Sequence, residues 1–210
     1  MSPTLSTQHA DTSSDFSSKR MFDIFFALAV TLCVLIWLIP LLAVLIKLES
    51  KGPIFFKQLR TGKDGVPFYC FKFRSMYVNT DANHKQASRG DSRITKTGAF
   101  LRKTSLDELP QFINVLLGDM SVVGPRPHML QHTDTYSRII TNYMLRHAMR
   151  PGITGLAQVE GHRGETKEIG AMVNRVNADI NYIQTWSLPL DVKIIALTAY
   201  QMVRGSENAF

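Results

Sequence analysis

Residues 102–127 read RKTSLDELPQFINVLLGDMSVVGPRP, and the rest of the chain is arranged around them. Leu109, Phe112, Ile113, Leu116 and Leu117 recur at helical spacing and form one apolar stripe. Gly118 is a stop. Pro110 has no N–H to donate, so it belongs in the first turn, where that loss costs nothing. The spacing therefore predicts a helix over Glu108–Leu117 with Asp107 as N-cap and two adjacent carboxylates at its positive end. Capping is one reading of Asp107 and Glu108, since Ser105-Leu106-Asp107-Glu108 also fits a capping box. The neighbours favour chemistry. Arg102 and Lys103 set cations beside the carboxylates, and Pro125-Arg126-Pro127 holds one guanidinium between two rigid residues. Carboxylates, fixed cations and a helix start suit a metal-bound phosphate ester.

Working back from this stretch, Arg93–Arg102 reads as a short helix carrying Arg102 to the site. Tyr77–Thr97 is polar and mixed, a loop in which His84 has no partner at metal-ligand spacing. Ile54–Leu59 and Phe68–Phe73 flank an Asp64-Gly65 turn signal and predict a β-hairpin. The charges on this hairpin read as exposed.

Ile24–Ile46 runs 23 residues without a charge, long enough to span a bilayer. Pro40 falls inside it, and basic residues flank both ends: Lys19 and Arg20 before, Lys47, Lys51 and Lys57 after. A kink at Pro40 and the positive-inside preference suit a re-entrant segment, with an ordinary span as the alternative. The run is too long for a signal peptide, and no small-residue cleavage site follows it. Asp23 is placed to pair with Lys19 and Arg20. The first 18 residues, rich in Ser, Thr and Asp, read as a disordered tail.

Beyond Pro127, a helix is expected over Met129–Ala148, and its His and Tyr residues make no nucleophilic triad. Arg150–Val159 reads as a glycine-rich turn and strand without the context of a dinucleotide site or a Walker motif. Ile169, Met172, Val173, Val176, Ile180 and Ile183 mark an amphipathic helix. Leu188–Val203 follows as an interfacial helix with Trp186 as anchor, or as a helix buried in the core.

The whole chain is 210 residues, 45% hydrophobic, with net charge +7, which suits one core and an anionic partner. Cys33 and Cys70 give no disulfide framework and point to a reducing compartment. The basic residues do not gather on one recognisable helix and no nucleic-acid module appears, so nucleic acid is not expected as a partner.

Thr104–Gln111, Asn114-Val115-Leu116, Gly118-Asp119-Met120-Ser121 and Val123–Pro127 resemble the core motif of the bacterial sugar transferases, the monotopic phosphoglycosyl transferases. Phe71–Met76 and Arg150–Val159 match further motifs of that family, and the likeness covers nearly all the chain after residue 18. The resemblance implies an α+β, mostly helical monotopic membrane protein with a re-entrant helix-break-helix, a small β-hairpin and interfacial amphipathic helices. Its divisions would be a tail over 1–18, a re-entrant membrane helix over 19–48 broken near Pro40, and a catalytic domain over 49–210. Larger members carry extra N-terminal spans, for which this sequence leaves no room.

The implied reaction moves a hexose-1-phosphate from a UDP-hexose to undecaprenyl phosphate with Mg²⁺, at the cytoplasmic face of the bacterial inner membrane among membrane lipids. Asp107 would be the nucleophile, ionised by a low pKa and the helix dipole, and Glu108, with Asp107, would meet the metal. Lys72 and Arg102 would hold phosphates, and Arg126, flanked by Pro125 and Pro127, the nucleotide. Gly161–Thr166, with His162, Arg163 and Glu165, looks like the loop of transferases for glucose or galactose rather than acetamido sugars. A homodimer is left open.

Overall fold

The computed structural model describes residues 12–80, 87–88, 90–162 and 168–204. Helix α1 (Thr12–Val30) runs through one π turn (Thr31–Leu35) into α2 (Ile36–Glu49). The helix thus begins at Thr12, inside the stretch read as tail. Pro40 lies exposed within α2, so the break expected there is instead a π turn one to two turns upstream. Proline removes one helical N–H and crowds the carbonyl four residues back, and a locally widened turn is one way a helix absorbs this.

Among the described residues, Ser17–Glu49 is the stretch long and apolar enough to cross a membrane. Ala27, Leu35, Leu42 and Ile46 form its buried stripe, while Leu32, Trp37, Leu41, Val44 and Leu48 are exposed. Both ends are fastened to the same body of the protein. At the start, Lys19 donates to the Asp191 carboxylate (2.7 Å), to Val123 O (3.0 Å) and to Tyr182 Oη (3.1 Å). Arg20 donates to Val115 O and Leu116 O, and Asp23 accepts from Val122 N and Ser121 Oγ. At the finish, Glu49 accepts from Lys96 N and Thr97 N, and Arg74 donates to Ser50 O at 2.6 Å. Asp23 therefore hydrogen-bonds across the fold, while the charges of Lys19 and Arg20 one turn away still act on it. Of the flanking cations read as topology signals, Lys19 and Arg20 are bonded into the fold, because a charge taken from water needs partners, whereas Lys47, Lys51 and Lys57 are exposed.

Strands β1 (Phe55–Thr61) and β2 (Pro67–Phe73) form the expected hairpin in register Leu59↔Tyr69, its turn held by Asp64 and Gly65 at positive φ. The outer edge of β2 is closed by one side chain. Asn114 of α4 (Gln111–Leu117) accepts from Phe71 N (2.9 Å) and donates to Tyr69 O (2.7 Å), as a neighbouring strand would. Helix α3 (Lys96–Lys103) precedes α4 and is capped by Thr95.

After α4, Gly118 takes φ 96° as predicted for a stop. Strand β3 (Ser121–Val123) pairs in parallel with β4 (Gly152–Thr154), which leads into the short α6 (Leu156–Val159). The helix expected over Met129–Ala148 is instead α5 (Leu130–Ser137) and a 3₁₀ turn (Tyr143–His147), separated by Asn142 at φ 64°. Helices α7 (Ile169–Thr185) and α8 (Leu188–Arg204) close the fold. Most core residues gather in one cluster, which joins Ala27 and Leu35 of the apolar segment to Leu101, Phe112, Val123 and Ile194.

Candidate active site

Ser105 stands at φ 57°, ψ 15°, a conformation that a non-glycine side chain adopts at a cost. It turns the chain sharply out of α3 into a 3₁₀ turn, Leu106–Glu108, that carries both carboxylates inward. Pro110, not Asp107, is the residue that precedes α4. The reason is proline's missing N–H, which leaves the tighter turn ahead of it to carry the chain. Asp107 is thus not an N-cap, and the dipole argument for its ionisation falls away.

The two carboxylates are both buried and stand in different company. Glu108 Oε1 accepts from Lys72 Nζ at 2.7 Å and from Arg126 Nη2 at 2.6 Å, and its Oε2 accepts from Arg126 Nη1 at 3.1 Å. This is a forked guanidinium–carboxylate pair with an added ammonium. Asp107 accepts no side-chain hydrogen bond among the described residues, although Lys72, Arg102 and Arg126 are near enough to favour its charge. Burial pushes the Asp107 carboxyl up from the ordinary range, against those cations and with the Glu108 charge adding to the rise. The low pKa expected from the sequence is reversed, because loss of water outweighs the nearby cations. A desolvated carboxylate with no donor on it is also a more reactive one.

Arg102 sits in the last turn of α3 beside Asp107, its Nε buried without a protein partner. Lys72, Arg102, Arg126, Asp107 and Glu108 are therefore brought together. Lys72 is placed because Asn114 locks β2 onto α4. The loop presenting Arg126 is held at successive carbonyls by donors from different elements. Val123 O accepts from Lys19 and Tyr182, Pro125 O from Gly152 N (2.9 Å), Arg126 O from Arg146 Nη2 (2.7 Å) and Pro127 O from Arg60 Nη1 (3.1 Å). A Cβ on Gly152 would stand 2.1 Å from Gly124 N, so this approach requires glycine.

Sequence reasoning missed Arg60, Arg146, Asp179 and Asn114. Arg146 is fully buried and paired with Asp179 of α7 at 2.6 Å. Burial lowers Arg60 to about 10. The signal available was a charged residue on an apolar helix face, Asp179 beside Ala178 and Tyr182. His162 is half-buried and its carbonyl accepts from Arg175 Nε at 2.9 Å. Arg163 and Glu165 lie outside the described residues.

No group of three or more His, Cys, Asp and Glu side chains that could hold a metal occurs among the described residues. Mg²⁺ uses one or two carboxylates and takes its remaining ligands from water and substrate phosphates. The Asp107–Glu108 pair, with donor-free oxygen on Asp107, fits that habit.

The chain matches the family model described as bacterial sugar transferase over residues 14–205. It is 53% identical over 171 residues to a UDP-glucose:undecaprenyl-phosphate glucose-1-phosphate transferase of Xanthomonas campestris pv. campestris, covering 80% of this chain and 35% of that protein. A Caulobacter vibrioides protein of the same name is 48% identical over 193 residues, 91% of this chain and 72% of its own length. A UDP-N-acetylgalactosamine-undecaprenyl-phosphate N-acetylgalactosaminephosphotransferase of Aeromonas hydrophila is 46% identical over 165 residues, 78% of this chain and 38% of its own length. The chain thus spans little more than a third of the first of these relatives.

Proposed function

Because the chain belongs to the bacterial sugar transferase family, we propose that it transfers a hexose-1-phosphate, glucose or galactose, from a UDP-sugar to undecaprenyl phosphate with release of UMP. The observation that carries this reading is Asp107, a buried carboxylate with no hydrogen-bond donor on it and three cations around it. A carboxylate oxygen of Asp107 attacks the β-phosphorus of the donor. The bond from that phosphorus to the bridging oxygen breaks, its electron pair leaves with UMP, and an aspartyl phosphosugar remains. A phosphate oxygen of the acceptor then attacks the same phosphorus and expels the Asp107 carboxylate, giving a polyprenyl diphosphate sugar.

Lys72, Arg102 and Arg126 make this approach possible by offsetting the donor's negative charge. Glu108 holds Lys72 and Arg126 in place until the diphosphate arrives. Mg²⁺, held by Glu108 and Asp107, would neutralise further charge on the phosphate oxygens when bound.

The reaction needs a site at the level of lipid head groups. The segment Ser17–Glu49 would extend about 50 Å if straight, yet its two ends are bonded to the same domain. That supports the re-entrant reading, with the catalytic part on the cytoplasmic face of the inner membrane. Exposed Val192, Leu197 and Tyr200 on α8 support an interfacial seat for that helix. The product would begin a lipid-linked glycan such as an exopolysaccharide.

The Aeromonas relative keeps an acetamido donor as a second reading. UMP release in nanodiscs containing undecaprenyl phosphate, measured in turn with UDP-glucose, UDP-galactose and UDP-N-acetylgalactosamine, decides between them. Turnover with a hexose donor is expected. Turnover with the acetamido donor alone would replace the sugar and keep the reaction.

A further inference from the structure

Lys19 stands shortly before the charge-free run Ile24–Ile46, and it is buried. An ammonium has three protons to donate, and each finds an acceptor: Asp191 Oδ2 at 2.7 Å, Val123 O at 3.0 Å and Tyr182 Oη at 3.1 Å. Its charge is met by Asp191 in contact and by Asp23, one turn along α1, whose carboxyl feels it. The ammonium also lies over the Tyr182 and Trp186 rings, 5.8 and 5.7 Å from their centres.

Two other side chains reach Val123 O: Tyr182 Oη at 3.1 Å and Ser121 Oγ at 2.8 Å. Each hydroxyl has a single proton, and each also faces a carboxylate. Tyr182 Oη stands 2.6 Å from Asp191 Oδ1, and Ser121 Oγ stands 2.9 Å from Asp23 Oδ1. A charged acceptor makes the stronger bond, so those two protons are drawn to the carboxylates. Of the three side chains around Val123 O, Lys19 is the one with a proton to spare for it.

Val123 ends β3 and leads directly into Gly124-Pro125-Arg126-Pro127. The guanidinium of Arg126 grips Glu108 beside Asp107. Strand β4 holds this segment through Gly124 N to Thr154 O and Gly152 N to Pro125 O, both at 2.9 Å. Lys19 adds a hold on it from the foot of the apolar segment. Two prolines leave these residues few torsions in which to absorb a shift, so a change in the hold at Val123 reaches Arg126.

We propose that Lys19 is a positioning residue for the nucleotide grip: through Val123 O it sets where Arg126 stands. The apolar segment is then part of the frame of the donor site as well as a membrane seat. This role rests on Arg126 meeting the nucleotide, as in the function proposed above.

The test is titration calorimetry with UMP on the full chain in detergent, without acceptor, together with the donor KM and kcat. A paired Lys19→Met, Asp191→Leu variant removes both charges at once, so most of the stability should be kept. Its UMP affinity should fall about tenfold, the weakening of one charge-assisted contact. The donor KM should rise by the same factor, with a smaller change in kcat. Trp186→Phe is the control, because it takes a donor from Asp191 and leaves Val123 O its contact with Lys19. It should lower the thermal transition and leave UMP affinity where it was. If the paired variant does not fold, Lys19→Gln is measured in its place. That variant leaves Tyr182 and Trp186 donating to Asp191 and shortens the reach toward Val123 O. Parent-like UMP affinity in a folded Lys19 variant overturns the proposal. An equal weakening in Trp186→Phe also overturns it, since the cluster would then act through stability alone. Absence of UMP binding by the parent would remove the proposed reaction and this role with it, and is told apart because there the parent itself fails.

Discussion

Arg146 donates from a single nitrogen, Nη2, both to the Asp179 carboxylate at 2.6 Å and to the backbone carbonyl of Arg126 at 2.7 Å. Helix α7 thereby holds, through one buried ion pair, the backbone of the residue whose side chain grips Glu108. Asp179→Asn would leave a guanidinium buried without its counter-charge, at a cost of about 3–5 kcal/mol. The transition temperature should fall, and the donor KM should rise more than kcat falls. A paired Arg146→Met, Asp179→Leu variant removes both charges and should regain most of the stability. It should not regain the donor KM, because Arg126 O still lacks its donor. Recovery of both together would make the pair purely structural.

Asp107→Asn should lose turnover by roughly 10³-fold or more while becoming more stable at neutral pH. The sign follows from burial. The folded chain binds the Asp107 proton more tightly than the unfolded chain does. Below the ordinary carboxylate range both states are protonated, and parent and variant should differ little. As pH rises through that range the unfolded chain ionises first, so the parent loses stability that the amide keeps. Thermal scans from pH 3 to 8 check this, and a variant less stable than the parent at pH 7 contradicts it. The same shift places the acid limb of kcat/KM above the pH of an ordinary carboxylate.

His147 is buried, and the Met144 backbone is the one hydrogen-bonding group that acts on its ring among the described residues. Burial and the adjacent Arg146 charge push it down to about 4. The unfolded chain takes up this proton near pH 6.5 and the folded chain only near 4. Stability is therefore fully present above about 6.5 and is lost as pH falls toward 4. His128, pushed down for the same reason, adds to the slope. His147→Leu should flatten the decline between those limits in urea unfolding. An unchanged slope would refute the assignment.

Asn114→Ala removes both hydrogen bonds to the edge of β2 and leaves Phe71 N and Tyr69 O without them. A loss of about 2–4 kcal/mol is expected. Because β2 carries Lys72, activity should fall further than the surviving folded fraction explains. Activity that tracks the folded fraction alone would limit Asn114 to stability.

The legible parts of this fold were those written in local spacing. The hairpin around Asp64-Gly65, the stop at Gly118, the length of α7 and the start of α8 near Pro189 all follow from neighbours in sequence. The gathering of Lys72, Arg102, Asp107, Glu108 and Arg126 followed from motif resemblance, and the geometry brings those five residues together. What could not be read was the partner of each buried charge. Lys19 meets Asp191 and Arg146 meets Asp179 across separations of 172 and 33 residues, and no periodicity encodes such pairs. Asp107 was misjudged for a related reason. Its neighbours in sequence are cations and a helix start, but its pKa is governed by the water it loses, which depends on the whole fold.

The most direct test of the central claim is the intact mass of the protein after incubation with UDP-glucose and Mg²⁺ in the absence of any polyprenyl phosphate. The account predicts stoichiometric UMP and a mass increase of one hexose phosphate on the peptide containing Asp107, absent from Asp107→Asn and discharged when undecaprenyl phosphate is added. UMP that appears only with acceptor present, without any adduct, would mean direct transfer between the two substrates and would contradict the role given to Asp107.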